Sequence, residues 1–266
     1  MPELETITAA LAEGYKQLEP ESFRTSAELT TERRTNKELR KQWYYTSNFG
    51  MYDVEEGKAI LYFGGREANP VLANIDEACR QLINEGNYKV TDPEKQAVVD
   101  SVKSGHTLRV KLSDLDLKRY DNEFSFFEIN TDNYANLNES QRALAEKVYG
   151  SGDDFIENMK MLSEAGISNT RIYVLNQDYV KEHVKEGAVG RVGWLGGFVG
   201  SSNFSAVGRD VDNGNGLRGV RKEVGEADDA KNLVSLNEDK LHDVLADYLG
   251  PAILSKAKKD IAKLYQ

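Results

Sequence analysis

The segment 153–187 constrains the fold more than any other part of the sequence. Asp153 can cap the start of a helix, and Gly166 is a typical left-handed residue at its end. The apolar residues of this helix share one face: Phe155, Ile156, Met159 and Leu162. Arg171–Leu175 is rich in strand formers, and 177–186 shows a second helical pattern that Gly187 ends. Helix, strand and helix in direct succession predict a fold that packs helices against a sheet.

Hydrophobic periodicity predicts further elements on both sides of this unit. The predicted helices are 3–18, 28–41, 70–85, 138–150 and 237–265, the predicted strands are 108–112 and 124–129, and a hairpin over 51–63 turns at 55–58. We therefore divide the chain into an N-terminal helical arm (1–42), an extended hairpin and helix region (43–104), a mixed α/β core (105–225) and C-terminal helices (226–266).

Composition excludes several classes of protein. No apolar run approaches the roughly 18 residues of a membrane helix, and the acidic N-terminus lacks the pattern of a signal peptide, so we expect a soluble chain. A formal net charge of −10 disfavours an extended nucleic-acid-binding face. The single cysteine, Cys79, excludes an internal disulfide and a cysteine-built zinc site, and its helical context predicts a small buried side chain.

The glycine-dense segment 187–219 resembles a nucleotide-binding loop only in composition. It lacks the Gly-Lys-Ser/Thr of a P-loop and does not open a long helix after a strand. Asp210–Gly216 looks like a calcium loop, but Arg221 stands where the twelfth-position glutamate is needed. We predict neither cofactor nor metal, and we expect Gly193 and Gly197 to mark positions that tolerate no Cβ.

One stretch resembles a catalytic motif. Gly200–Ser205 is similar to the GSxNF element of the phospholipase D superfamily, and His183 and Lys185 upstream form an HxK. The resemblance implies a histidine nucleophile, a lysine that neutralises phosphate oxygens, and Ser201 and Asn203 that hold them. No aspartate follows between 186 and 198, where that family has one. A phosphodiesterase or nuclease is therefore an alternative interpretation.

A second resemblance rests on the order of elements between Leu108 and Asn203. It is similar to that of the major capsid proteins of tailed bacteriophages and archaeal tailed viruses. The matching pieces are Phe124–Ile129, Arg142–Lys147, Met159–Gly166, Arg171–Asn176, Gly190–Val199 and Ser202–Asn203.

This resemblance implies an α+β capsid-type fold with peripheral and central mixed α/β domains, an N-terminal arm, an extended hairpin loop and a C-terminal helical tail. The implied function is structural and not enzymatic: many copies, with other virion proteins, form an icosahedral shell in the host cytoplasm. The shell encloses DNA without sequence-specific binding and involves no membrane. A soluble non-enzymatic binding or accessory protein is the remaining alternative.

The segment 32–41 is basic, although the chain as a whole is acidic. In a shell, contacts must extend beyond one domain. We therefore expect Arg33, Arg34 and Arg40 to lie against a neighbouring subunit.

Overall fold

One mixed sheet of ten strands organises the part of the chain that the structure describes. The structure is a computed structural model, and it describes residues 23–41, 43–184, 187–197, 203–208 and 216–217. The strands are β1 (Tyr44–Glu55), β2 (Lys58–Gly64), β3 (Tyr88–Lys89), β4 (Leu108–Lys111), β5 (Lys118–Arg119), β6 (Phe124–Asn130), β7 (Asn169–Leu175), β8 (Val189–Leu195), β9 (Phe204–Gly208) and β10 (Gly216–Leu217). Their order is β4-β2-β1-β8-β9-β7-β6-β5, with β10 beside β1 and β3 beside β8.

Seven α-helices are described, and local capping signals start several of them. They are α1 (Ser26–Thr35), α2 (Pro70–Ala73), α3 (Ile75–Glu85), α4 (Asp92–Lys103), α5 (Glu139–Tyr149), α6 (Asp153–Glu164) and α7 (Gln177–His183). Thr25, Thr91 and Asn138 form capping boxes at the starts of α1, α4 and α5. Within these described ranges, no helix is both long and apolar enough to cross a membrane.

The sheet is curled, because a short connection joins its two edges. β4 and β5 are the edge strands, and only the residues between Lys111 and Lys118 separate them in the chain. Seven residue steps span at most about 25 Å. Eight strands side by side in a flat sheet would place those edges about 34 Å apart. The sheet therefore curls into a half-barrel, in which the edge strands β4 and β5 approach each other without pairing.

Two hydrophobic clusters lie on opposite faces of this sheet. The larger one joins side chains from both ends of the strand order, including Leu61 and Phe127, and so fills the concave side. Helices α1, α5, α6 and α7 contribute to it. The smaller cluster packs α2, α3 and α4 on the convex side of β1, β2 and β8. Among the described residues, neither cluster includes a side chain on the convex face of β6 apart from the partly buried Phe124 at its start.

The basic segment is bonded within its own chain. Arg33 is fully buried, donates to the carbonyl oxygens of Leu39 (2.9 Å) and Gly196 (2.8 Å), and has its pKa lowered to about 10 by burial. Arg40 donates to the carbonyl oxygen of Arg33 at 2.8 Å, and Arg34 pairs with Asp154. These contacts of the three arginines lie within their own chain, and Arg33 links α1 to the residue that follows β8. The expected contact with a neighbouring subunit is therefore wrong for the fully buried Arg33.

β8 crosses the centre of the sheet, in the glycine-dense segment where the sequence analysis predicted no strand. Gly193 is fully extended without a left-handed φ, and a Cβ there would lie 2.9 Å from Phe204 Cζ and from Thr46 Oγ1. The expected intolerance of a side chain at Gly193 is therefore confirmed, with neighbouring side chains as the cause. Glycine serves here to bring β1 and β9 close on either side of β8.

The capsid-type fold predicted from the resemblance is wrong. A single sheet contains both the β6–β7 pair and the β1–β2 hairpin, so separate peripheral and central domains do not form. The hairpin turns at Glu56 and Gly57 as predicted, but it lies in the middle of the sheet instead of forming an extended loop. Asp153 is the first residue of α6, with Gly152 at the capping position. The predicted helices 3–18 and 237–265, and the calcium-like loop 210–216 up to its last residue, lie outside the described residues.

Adding a methyl group at Gly193 tests its close packing. We expect Gly193→Ala to destabilise the protein by about 1–3 kcal/mol, because an overpacked site must displace its neighbours. Gly65→Ala is the matched control, since its Cβ would meet the flexible Glu67 carboxylate at 3.1 Å. Urea unfolding measures both free energies. Equal values for the two variants would contradict the packing argument.

Removal of the buried guanidinium of Arg33 tests its role in folding. Arg33→Met removes both hydrogen bonds that the guanidinium donates to these carbonyl oxygens, and a hydrogen bond from a charged donor contributes about 1.5–3 kcal/mol, so we expect a loss of about 2 kcal/mol or more. Arg80→Met on the exposed side of α3 should change stability by less than about 0.5 kcal/mol. The same unfolding assay compares them. A stable Arg33→Met variant would show that α1 is held by other contacts.

Candidate functional site

A row of mostly aromatic side chains crosses the convex face of the sheet beyond α2–α4. Directly paired positions place Lys118, Phe126, Tyr173, Ser205 and Trp194 side by side on β5, β6, β7, β9 and β8. Paired residues project to the same face of a sheet. We call this row, together with Tyr120 and Trp43 at its two ends, the aromatic face.

Both ends of the aromatic face expose large side chains to solvent. Tyr120 is 61% exposed and Trp43 is 37% exposed. Trp43 packs on Trp194 with ring centroids 5.1 Å apart, and Tyr120 meets Tyr173 edge-on at 5.6 Å. Phe126 lies 5.4 Å from Tyr173 and belongs to neither of the two cores. Phe126 itself is buried, and Tyr173 and Trp194 are partly buried against the larger and the smaller cluster. The exposed rings of the aromatic face are therefore Tyr120 and Trp43, and exposed apolar surface of this kind is typical of binding surfaces.

An ion-pair network lies next to the rings. Glu128 on β6 accepts hydrogen bonds from Arg171 on β7 (Nη2, 2.8 Å) and from Lys118 on β5 (Nζ, 2.8 Å). Lys118 and Arg171 hold the pKa of the Glu128 carboxyl below its ordinary value. The Arg171 guanidinium also stands 4.7 Å above the Phe126 ring, where cation–π attraction stabilises it. The network therefore places fixed charges along one side of the aromatic face.

A cavity of about 320 Å³ opens beside this network. Its lining includes Glu128 on β6, Asn169 and Arg171 on β7, Asn203 just before β9, and residues 166–168 from the loop that precedes β7. Asn203 Oδ1 accepts a hydrogen bond from the backbone N–H of Arg171 at 3.1 Å, which ties the start of β9 to β7. Arg171 thus lines the cavity and also contacts Phe126 of the aromatic face.

A larger cleft of about 820 Å³ lies on another side of the molecule. It is lined by α1, by the ends of β2 and α5 and by the start of α6, with charges of both signs that include Arg24, Glu67 and Glu146. Glu28 in this cleft is already paired with Arg66 at 3.0 Å. No group of three or more metal-ligating side chains occurs among the described residues. The cleft lining also includes Ser151, His106 and Lys147, and the Lys147 ammonium donates to the carbonyl oxygen of Gly105 at 2.8 Å.

The residues of the phosphodiesterase interpretation lie at different places along β7. Asn203 bonds near the start of that strand, whereas His183 ends α7, which follows the end of the strand. The exposed His183 ring stacks on Tyr179 at 4.1 Å, and its Nδ1 lies 3.0 Å from the Tyr179 carbonyl oxygen. Lys185 and Ser201 fall outside the described residues. The structure therefore does not bring the two described members of the motif together.

Sequence reasoning identified β6 and β7 but missed the face they present. In Phe124–Asn130, Phe127 and Ile129 enter the concave core, whereas Phe126 and Glu128 point the other way. The signal was present in the alternation of this segment. The alternation alone did not show which face of β6 points to the core, because both faces contain an aromatic residue.

Comparison with known proteins gives one structural likeness. No protein-family model matches the sequence, and no curated protein matches it. The structure is similar to a solved structure described as the accommodation of massive sequence variation in Nanoarchaeota by the C-type lectin fold. The TM-score is 0.51 at 14% identity, over 80% of this chain and 88% of that chain. This likeness concerns the fold alone, and it is a likeness to a C-type lectin fold in place of the capsid fold predicted above.

A hydrolysis assay tests the phosphodiesterase interpretation directly. We expect wild type and His183→Ala to show the same background rate with bis(p-nitrophenyl) phosphate, because His183 has no nearby Asn203 to complete a phosphate site. Absorbance at the nitrophenolate maximum measures the rate. Cleavage by the wild type that His183→Ala abolishes would establish a phosphodiesterase instead.

Proposed function

We propose that this chain is a non-enzymatic binding protein that recognises a protein partner through the aromatic face. The observation that carries the proposal is the pair of exposed rings at its two ends: Tyr120, which packs on the partly buried Tyr173, and Trp43, which packs on the partly buried Trp194. Two strand spacings separate Tyr173 from Trp194, a distance of about 10 Å. Both groups can therefore contact one partner at once.

The composition of the aromatic face supports a protein partner. Tyrosine, tryptophan and arginine dominate the residues that contribute most to protein–protein binding energy. The aromatic face supplies tyrosine and tryptophan, and Arg171 stands over Phe126 beside them, with Glu128 next to it. Aromatic residues at the centre and charged residues at the rim are the usual arrangement in such interfaces.

The angles between the rings favour a protein over a glycan. Tyr120 stands at 89° to Tyr173 and at 74° to Phe126, and the two tryptophan rings are tilted by 49°. Stacking of successive sugar rings requires broad, nearly coplanar ring faces. Rings set at steep angles instead leave gaps between them, into which side chains of a protein can insert.

The capsid hypothesis remains a prediction that these findings do not test. Its support came from an order of elements that implied a different fold. The fold similarity by itself assigns no ligand, because the neighbouring structure is described as accommodating massive sequence variation. A binding protein, the third interpretation of the sequence, agrees best with the exposed rings.

Selection from a phage-displayed peptide library tests the proposal. Peptides enriched on the wild-type protein should bind the double variant Tyr120→Ala/Tyr173→Ala at least tenfold more weakly, because truncation of an interface hot spot costs roughly 2 kcal/mol or more. Surface plasmon resonance measures the affinities, and thermal melting verifies that both proteins are folded.

Ile156→Ala is the matched control, because Ile156 is 46% exposed on α6 and lies outside the aromatic face. It should leave the affinities unchanged. Peptides that bind wild type and the double variant equally would refute the proposal. Binding on a glycan array that the double variant abolishes would assign the face to glycans instead.

A further inference from the structure

The ion-pair network concentrates positive charge beside the aromatic rings. One carboxylate, Glu128, serves two cations, so Lys118, Arg171 and Glu128 together carry a surplus of one positive charge. The chain as a whole carries a formal net charge of −10. This patch therefore differs in sign from most of the molecule.

Both cations keep hydrogen-bonding capacity beyond their bonds to Glu128. Arginine has five N–H donors and the lysine ammonium has three. Glu128 accepts two of them from Arg171, at 3.0 and 2.8 Å, and one from Lys118. Because both Glu128 oxygens are already engaged, the network offers an incoming ligand mainly donors.

The adjoining cavity gives room for a small group next to Arg171. Glu128 is the only carboxylate in its lining, and the remaining polar lining consists of the Ser168 hydroxyl and the amides of Asn169 and Asn203. Arg171 is held in place by Glu128 on one side and by the Phe126 ring below it. A cation fixed in this way binds an anion without losing further side-chain freedom.

We propose that Arg171 and this cavity form an oxyanion subsite of the aromatic face, which takes a carboxylate or phosphate group of the partner. The inference rests on the proposed function and names the chemistry of one contact within it. The oxyanion accepts hydrogen bonds from Arg171, and Lys118 on the other side of Glu128 adds positive charge nearby, while the apolar groups of the partner cover the rings. Arg171 pairs well with either group, because its planar fork matches carboxylate and phosphate oxygens.

Nuclear magnetic resonance titration with acetate, inorganic phosphate and acetamide tests the subsite. At least one anion should shift the backbone amides of 166–171 and 203 in a saturable manner, and acetamide, the neutral analogue of acetate, should not. Arg171→Gln should weaken that anion at least tenfold, as expected for loss of a charge-assisted hydrogen bond. Lys118→Met should weaken it by a smaller factor, and Arg80→Gln on α3 should have no effect.

The two anions separate the two sources of the group. Saturation by acetate identifies a carboxylate, such as an acidic side chain, and saturation by phosphate identifies a phosphorylated group. Shifts that acetamide reproduces, shifts that survive in both Arg171→Gln and Lys118→Met, or no shift with either anion would overturn the subsite. The peptide selection does not require an acidic group. The proposed binding through the aromatic face can therefore be confirmed even if the oxyanion subsite is refuted.

Discussion

The short connection between β4 and β5 determines how the rest of the molecule is arranged. It forces the sheet to curl, so one face becomes an interior and the other an exterior. The interior is filled by the larger cluster, which takes side chains from strands at both ends of the sheet. Helices α2–α4 then cover the exterior of β1, β2 and β8. The aromatic face is what remains of the exterior on β5, β6, β7 and β9 within the described part of the chain.

Two buried arginines hold the curled sheet to its surrounding segments. Arg33 links α1 to the end of β8 through the Gly196 carbonyl, and Arg191 on β8 donates to Asn87 and to Glu123 at 2.8 Å each. Burial lowers the pKa of Arg191 to about 10, as it does for Arg33. A buried guanidinium is costly unless its donors are satisfied, so each one fixes the positions of the segments that supply its acceptors. The basic segment 32–41 thus connects α1 to the end of β8 within the chain, through Arg33.

Local signals made part of this structure predictable, and long-range contacts made the rest unpredictable. Asn138 capped its helix as expected, Gly166 adopted a left-handed φ of 81°, and Cys79 is buried. Helix α4 was missed although Thr91 and Glu94 form a capping box that the sequence displays. β8 was not predicted as a strand, because its glycines are explained only by the neighbours that approach them, which are distant in sequence. The aromatic face was missed for the same reason, since Phe126, Tyr173 and Trp194 meet only through strand pairing.

The charges beside the aromatic face limit unspecific contacts of its exposed rings. An uninterrupted apolar sheet face invites contact with any other apolar surface, and proteins limit such contacts with charged side chains at the edge. Here β5, the edge strand, carries Lys118 and Arg119, and Glu128 holds Lys118 and Arg171 beside the rings. A partner that covers the rings without supplying an oxyanion must remove water from these cations, and no new ion pair offsets that desolvation cost. The same charges that prevent indiscriminate association would therefore select for a partner that places an acidic group next to its apolar side chains.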